Sequence, residues 1–406
     1  MTLAQDGKTS KRACFRTAWV ATVQRMRLNE DHAAFRDSVR RFVDTEVNPH
    51  VDGWEAAGRV PLHDLFPKAA ALGLLGLEYD PAWGGDGADP SFQLVAAEEY
   101  GRMHAGGVGM AIGVQAMMAT PSLHQYGSDE LKERYLKPAI AGTAVTSIAV
   151  TEPDTGSDVA RLRTRAVRDG DDWVITGRKV YITNGAQADW ICLLARTSDE
   201  GGYRGMSQIV VPTSLPGFSV VRTFGKLGNR CSDTAELALD AVRVPVANTI
   251  GTAGRGFQQQ MQQFVTERMF AAYTTVGQCQ YALDRTRAFA HDRTVFGRPL
   301  ADRQYVAFRL AELQAEVDLL RSHNLQTCEA LIAGEDITRM ATVAKLKAGR
   351  LIREVADWCL QFHGGMGYLE ETWTARMLRD TRLTSIGAGA DEVMLQVLAR
   401  LDGMPG

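Results

Sequence analysis

Paired cysteines are missing from this sequence. Its six, Cys14, Cys192, Cys231, Cys279, Cys328 and Cys359, are scattered with no C-x-x-C among them. Neither a zinc site nor a disulfide framework is indicated, and reduced thiols in a cytoplasmic compartment fit. Long apolar runs are missing too, far short of the roughly 20 residues a membrane span needs. There is no cationic excess: the formal net charge is −3. Proteins that bind nucleic acid need a basic footprint to displace counterions, so that class is disfavoured. No G-x-G-x-x-G follows a strand and opens a helix, and no P-loop occurs, so Rossmann and nucleoside-triphosphatase readings have no support. No metal-ligand spacing and no internal repeat are found.

What is present is a chain of 406 residues with 45% hydrophobic and 23% charged side chains. That is ordinary globular composition, long enough for two or three packed units. Residues 1–25 stand apart, with Lys8, Lys11, Arg12, Arg16 and Arg25 against a single acid, Asp6. Three readings fit: a disordered tail, a start codon placed too early with Met26 the natural start, or a presequence that would direct the protein to the mitochondrial matrix.

Beyond this tail the texture runs α, then β, then α. Residues 26–143 read as helical: one helix begins at Asn29-Glu30-Asp31, with Phe35, Val39, Phe42 and Val43 on its apolar face, and others span 66–75 and 92–104. Gly106, Gly107 and Gly109 read as packing glycines. Residues 144–254 carry short β-rich runs at 164–168, 173–176, 180–183, 190–195, 208–211 and 242–244, suggesting a barrel or sandwich. Residues 255–406 return to helical spacing. Val306, Leu310, Leu313, Val317 and Leu320 make one stripe. Gly334-Glu335-Asp336 ends that helix, Asp336 caps the next, and Gly364-Gly365 stops it. Long helices on short turns imply a bundle.

Two segments carry the most chemistry, Ile148-Ala149-Val150-Thr151-Glu152-Pro153-Asp154-Thr155-Gly156-Ser157-Asp158 and Val180-Tyr181-Ile182-Thr183-Asn184-Gly185. They resemble the flavin-cradling strands of the acyl-CoA dehydrogenase family. The resemblance continues at Arg293-Thr294-Val295-Phe296-Gly297, at Gln361-Phe362-His363-Gly364-Gly365-Met366-Gly367-Tyr368 and at Ile386-Gly387-Ala388-Gly389. These blocks are collinear with the family from about Leu28 onward. The resemblance implies an α+β multidomain fold: an N-terminal helical domain, a central β-barrel or sandwich, and a C-terminal four-helix bundle. It also implies FAD, an acyl-CoA substrate, electron-transferring flavoprotein as electron acceptor, and a homotetramer built as a dimer of dimers.

A flavin ring must be stacked on one face, hydrogen-bonded along its polar edge and left open on the other face. By resemblance Tyr181, with Ile182, lies beside the ring, where many relatives have Trp. Thr183 bonds the N5 region, and Thr151 with the backbone of Ile148 to Val150 meets the pyrimidine edge. Gly156 and Ser157 belong to the same cradle. Arg293, Phe296 and Gln304 serve the pyrophosphate and adenosine half from a neighbouring subunit, with the backbone of Gln361, Phe362, His363, Gly364 and Gly365. Ala390 and Glu392 stand where relatives have Thr and Gln near the flavin. Ser157 and Arg268 are expected near the CoA portion, and Gly387 and Ala388 at the thioester.

Removing an α-proton from a thioester needs a carboxylate whose pKa is raised by burial. Many family members place that Glu at the position Ala388 holds here, and Ala388 can act only through its backbone N–H, on the thioester oxygen. A subgroup that includes long-chain, citronellyl and isovaleryl types places it on the first helix of the C-terminal bundle, where this chain has Val265-Thr266-Glu267-Arg268. Glu267 is therefore the expected base, and Glu392 its rival. The same fold also supports flavin monooxygenases and oxidases, and dehydrogenases of carrier-bound acyl groups, which stay open as alternatives.

Overall fold

The computed structural model describes residues 28–405; the basic segment 1–25, Cys14 and Met26 lie outside the described residues. The first helices are α1 (Glu30–Phe42), α2 (Val51–Ala57), α3 (Leu62–Ala70), α4 (Pro90–Tyr100) and α5 (Gly106–Gly113). Short helices follow, α6 (Pro121–Tyr126), α7 (Asp129–Leu131) and α8 (Lys137–Ile140). Asn29 caps α1 by accepting from the backbone of His32, whose ring returns the bond to Asn29 N–H. Arg36 and Arg40 of α1 both grip the buried Glu99 of α4, at 3.0 and 3.1 Å, and pin the two helices together. The sequence placed the third helix at 66–75 and the fourth at 92–104, both too far along the chain. α3 has ended before Gly73, whose φ of +72° belongs to a turn. α4 gives way at Gly101, where the backbone of Gly277 comes so close that a Cβ would sit 2.4 Å from its carbonyl carbon.

The middle of the chain forms one curled seven-stranded sheet. Its strands are β1 (Thr146–Ala149), β2 (Arg165–Asp169), β3 (Asp172–Thr183), β4 (Trp190–Arg196), β5 (Met206–Pro212), β6 (Phe218–Thr223) and β7 (Thr234–Pro245). They run in the order β1-β4-β2-β3-β7-β6, with β5 on β4. Two runs read separately from the sequence, 173–176 and 180–183, are one strand, β3. β6 and the first half of β7 lie outside the β-rich runs of the sequence, β6 being mostly exposed.

The C-terminal part is three long helices, α9 (Gly256–Asp292), α10 (Gln304–Ile332) and α11 (Thr338–His363). A small hairpin of β8 (Thr294–Val295) and β9 (Arg298–Pro299) joins the first two, and α12 (Trp373–Thr381) and α13 (Asp391–Leu401) follow. The stripe Val306, Leu310, Leu313, Val317 and Leu320 is buried along α10. Asp336 accepts from Thr338 N at 2.9 Å as α11 begins. The main core joins α1–α5 to α9–α11, so the two helical parts form one body, with the sheet's own core beside it. Among the described residues no helix is long and apolar enough to cross a membrane, and no cluster of three or more His, Cys, Asp or Glu side chains could hold a metal ion.

Candidate active site

The two motif segments of the sheet lie side by side. Val180 N–H donates to the Thr151 carbonyl at 2.9 Å, and the Ser147 hydroxyl donates to the Thr183 carbonyl at 2.5 Å. Beneath them Lys179, wholly buried, donates to the Val150 carbonyl at 2.8 Å and to Glu152 at 2.9 Å. Glu152 also accepts from the backbone N–H of Arg163 and Thr164. Burial opposes ionisation of Glu152, but Lys179 and these donors outweigh it and hold the carboxyl below its ordinary value. Nothing in the motif reading had singled out this pair, because its members are 27 residues apart and each alone reads as an ordinary charge.

β3 carries a bulge where Lys179 pairs with Leu237 but Ile182 with Ala235, leaving one extra residue on β3. Tyr181 takes up that residue at a φ of +59°, a costly conformation for an aromatic side chain, and its ring stands 66% exposed beside Phe224. Thr183 is half-buried with its hydroxyl 3.9 Å from Met110 Sδ. The side chain of Ile182 is buried in the sheet core, so only its backbone can face a ligand. Ile148, Val150 and Thr151 are half-buried, and Gly156 and Ser157 lie on an open loop.

Glu267 reaches this sheet from α9. It is buried, and Gln263, one turn earlier, donates to it at 2.9 Å. The Cys192 thiol lies within its electrostatic range, and Cys192 pairs with Ile148 across β4 and β1. Burial pushes the Glu267 carboxyl up to about 7, against the pull of Gln263 and Arg268. Glu392 is exposed at the start of α13.

The loop before α13 is tied to α11, which packs on α9. Arg268 donates to Thr342 on α11 at 3.1 Å. One turn on, the fully buried Lys345 donates to the carbonyls of Thr384 and Gly389, at 2.6 and 3.0 Å. Within this tethered loop Ala388 is exposed at a φ of +52°. Strained backbone at a non-glycine residue persists only where its surroundings over-determine it. Gly387 and Ala390 flank it, half-buried.

The remaining predicted residues lie elsewhere on this chain. Arg293, Phe296 and Gln304 are exposed at the β8–β9 hairpin and the start of α10. No hydrogen bond or ion pair joins them to the sheet segments among the described residues. Gln361, Gly364 and Gly365 are exposed at the end of α11, and among the described residues nothing beyond the adjacent residues comes within 4 Å of a Cβ built on either glycine. The side chains of Phe362 and His363 point into the core, and the role expected of these two residues is one for their backbone. The His363 ring stacks on Phe289 at 4.1 Å and bonds the Cys359 carbonyl at 2.7 Å, and Phe362 is buried beside Trp358. Helical periodicity turns both inward, leaving only their backbone to offer.

The chain was compared with known proteins. Family models described as acyl-CoA dehydrogenase N-terminal, middle and C-terminal domains match residues 29–143, 147–242 and 254–401. A probable acyl-CoA dehydrogenase, YngJ, of Bacillus subtilis (strain 168) is 34% identical over 92% of this chain and 98% of its own length. The mitochondrial long-chain specific acyl-CoA dehydrogenase of Rattus norvegicus is 34% identical over 92% of this chain and 86% of its own. The crystal structure of a putative acyl-CoA dehydrogenase from Mycobacterium smegmatis superposes with a TM-score of 0.90 at 39% identity, covering 93% of this chain and 99% of that one.

Proposed function

Because the chain belongs to the acyl-CoA dehydrogenase family, we propose that it oxidises the Cα–Cβ bond of an acyl-CoA thioester with Glu267 as the α-proton base. The family's enzymes are FAD-dependent oxidoreductases. The residues present suit FAD: an exposed aromatic ring held out by a bulge, a rigid strand edge beside it, and glycines with free space around them at the end of α11. Tyr181, Thr151 and Thr183 would hold the ring and its polar edge. Arg293 and Gln304 with the backbone at Gly364 and Gly365 would hold the pyrophosphate and adenosine, from a second copy of the chain in a homotetramer.

The observation that carries the reading is the burial of Glu267 on α9, its carboxylate in electrostatic range of Cys192, which pairs with Ile148 of β1. Burial makes its ionised form a strong base and lets it keep the proton at neutral pH. The Ala388 N–H would donate to the thioester oxygen and stabilise charge as the α-proton leaves. Arg268 stands beside the base for the CoA portion. When bound, FAD supplies the acceptor for the hydride leaving Cβ, and the product is a trans-2-enoyl thioester. Electron-transferring flavoprotein is the proposed acceptor of the electrons thereafter.

Anaerobic bleaching of flavin absorbance by a panel of acyl-CoAs tests this. Wild type should bleach, with kcat/KM rising as pH rises through about 7. Glu267→Gln should retain FAD and bleach at least 10³-fold more slowly, roughly the upper range of a positioned base. Equal rates for the two proteins would remove Glu267 from the role and return it to Glu392.

A further inference from the structure

A cavity of about 390 Å³ lies between the Leu75–Tyr79 segment, α4, α6 and the first turns of α9. Its volume is in the range of small-molecule sites. Gln259, Gln262, Gln263 and Thr266 line it from one face of α9. Gln263 is bonded to Glu267, so the space opens beside the proposed base. From Glu267 back to Gln259 is eight residues, about 12 Å along the helix. An acyl chain whose Cα meets Glu267 has this space to run into.

The walls are not those of a hydrocarbon sleeve. Several polar groups are already satisfied within the protein. Ser122 donates to Gln263 at 2.7 Å, Gln263 donates to the Met118 carbonyl, and Tyr79 donates to the Ala116 carbonyl at 2.6 Å. Among the lining residues that are not exposed, three others are not satisfied, and they come from three separate elements. Glu78 has no hydrogen bond and no cation among the described residues, and the neighbouring charge it senses is the like-signed Asp89. Gln93 of α4 is buried with no partner among the described residues. The Gln259 Oε1 is buried and unpaired while its Nε2 donates to the Ile250 carbonyl at 3.3 Å, and reversing that amide would set two carbonyl oxygens against each other. Burial, then Asp89, pushes the Glu78 carboxyl up to about 7, as expected of an acid without a counter-ion.

Two of these three groups are acceptors, a carboxyl and an amide oxygen, and the third can accept. A plain alkyl chain would displace water from Glu78 and Gln93 and leave the Gln259 oxygen without a partner, an unfavourable outcome for each polar group. A ligand with hydroxyl or ammonium donors would pair them. We propose that this cavity selects acyl groups carrying a hydrogen-bond donor beyond Cβ, a hydroxyl or an amine, over unsubstituted aliphatic chains of the same length. The proposal rests on the acyl-CoA dehydrogenase reading for the position of the thioester.

The test uses unreactive CoA thioethers of matched length, one aliphatic, one ω-hydroxylated and one ω-aminated, titrated by calorimetry into the FAD-loaded enzyme. At least one polar ligand should bind about tenfold tighter than the aliphatic one, the factor a hydrogen bond to a charged group supplies. Glu78→Leu should bring that ratio to one or below. Glu78→Gln, nearly isosteric, should keep a preference for hydroxyl and lose one for amine. Aliphatic binding as tight as both polar ligands in wild type overturns the proposal. So does a polar advantage that neither Glu78 variant alters, or failure of all three ligands to bind. Flavin bleaching by acyl-CoAs reports separately on the parent reading: polar-selective binding without bleaching would sink the reaction and leave the cavity's preference standing.

Discussion

At the residue scale the site turns on one side chain placed against its solvation preference. In the unfolded chain Glu267 ionises near its ordinary 4.5, whereas in the fold burial holds it protonated to about 7. Across that window the folded protein binds more protons than the unfolded chain, so stability falls as pH rises. Removing the ionisable group should remove that loss. Glu267→Gln should be more stable than wild type by up to about 3 kcal/mol at pH 8 and by little at pH 5. Urea titrations of both proteins at the two pH values measure it, and equal gains at both would show that the benefit is packing rather than charge. The sequence pointed to Glu267 by position alone. It could not show the burial, since a Glu before an Arg on a helix is an ordinary surface pattern.

At the scale of elements, α4 and α9 cross with backbone against backbone. A Cβ on Gly277 would sit 1.9 Å from the Glu98 carbonyl oxygen, and one on Gly101 would sit 2.3 Å from Gln278 N. Neither neighbour is a side-chain end that can swing away. Gly277→Ala should therefore force the helices apart and cost about 1–3 kcal/mol or more. Thermal melts of the holoenzyme check this; an unchanged Tm would mean the crossing is softer than its contacts imply. The same crossing sets the distance between Gln93 on α4 and Gln259 on α9, and so the width of the cavity beside the base. Gly101 falls inside the helix that the sequence predicts over 92–104, and nothing near either glycine in the chain accounts for it. Their reason is each other, 176 positions apart.

At the scale of the whole molecule, the two groups of residues proposed to hold the cofactor do not meet within one chain. The sheet segments are proposed for the ring end, while Arg293 and Gln304 sit on an exposed hairpin and helix start. Phe296 at the hairpin tip is 94% exposed and Tyr305 and Phe308 are exposed close behind it in sequence, an apolar surface that fits association. Phe296→Asp should weaken the proposed tetramer and lower FAD content together. The backbone should accept the change, because φ there is +50° and Asp tolerates that region better than an aromatic residue. Light scattering with a flavin-to-protein absorbance ratio reads both. Dissociation with full FAD retention would place the pyrophosphate contacts within a single chain.

The amino-acid sequence was enough for the family, the α-β-α order and the apolar stripe of α10. Those signals are local: motif residues adjacent in the chain, strand and helix periods, a cap such as Asn29. Tertiary structure alone decided the rest. It turned Phe362 and His363 into the core, fused two apparent strands into a bulged β3 that holds Tyr181 out, and paired Lys179 with Glu152 under the motif loop. It also gathered Glu78, Gln93 and Gln259 around one cavity. Burial and hydrogen-bond satisfaction are properties of what surrounds a group in space, and none of these surroundings lies within a few residues of the group itself.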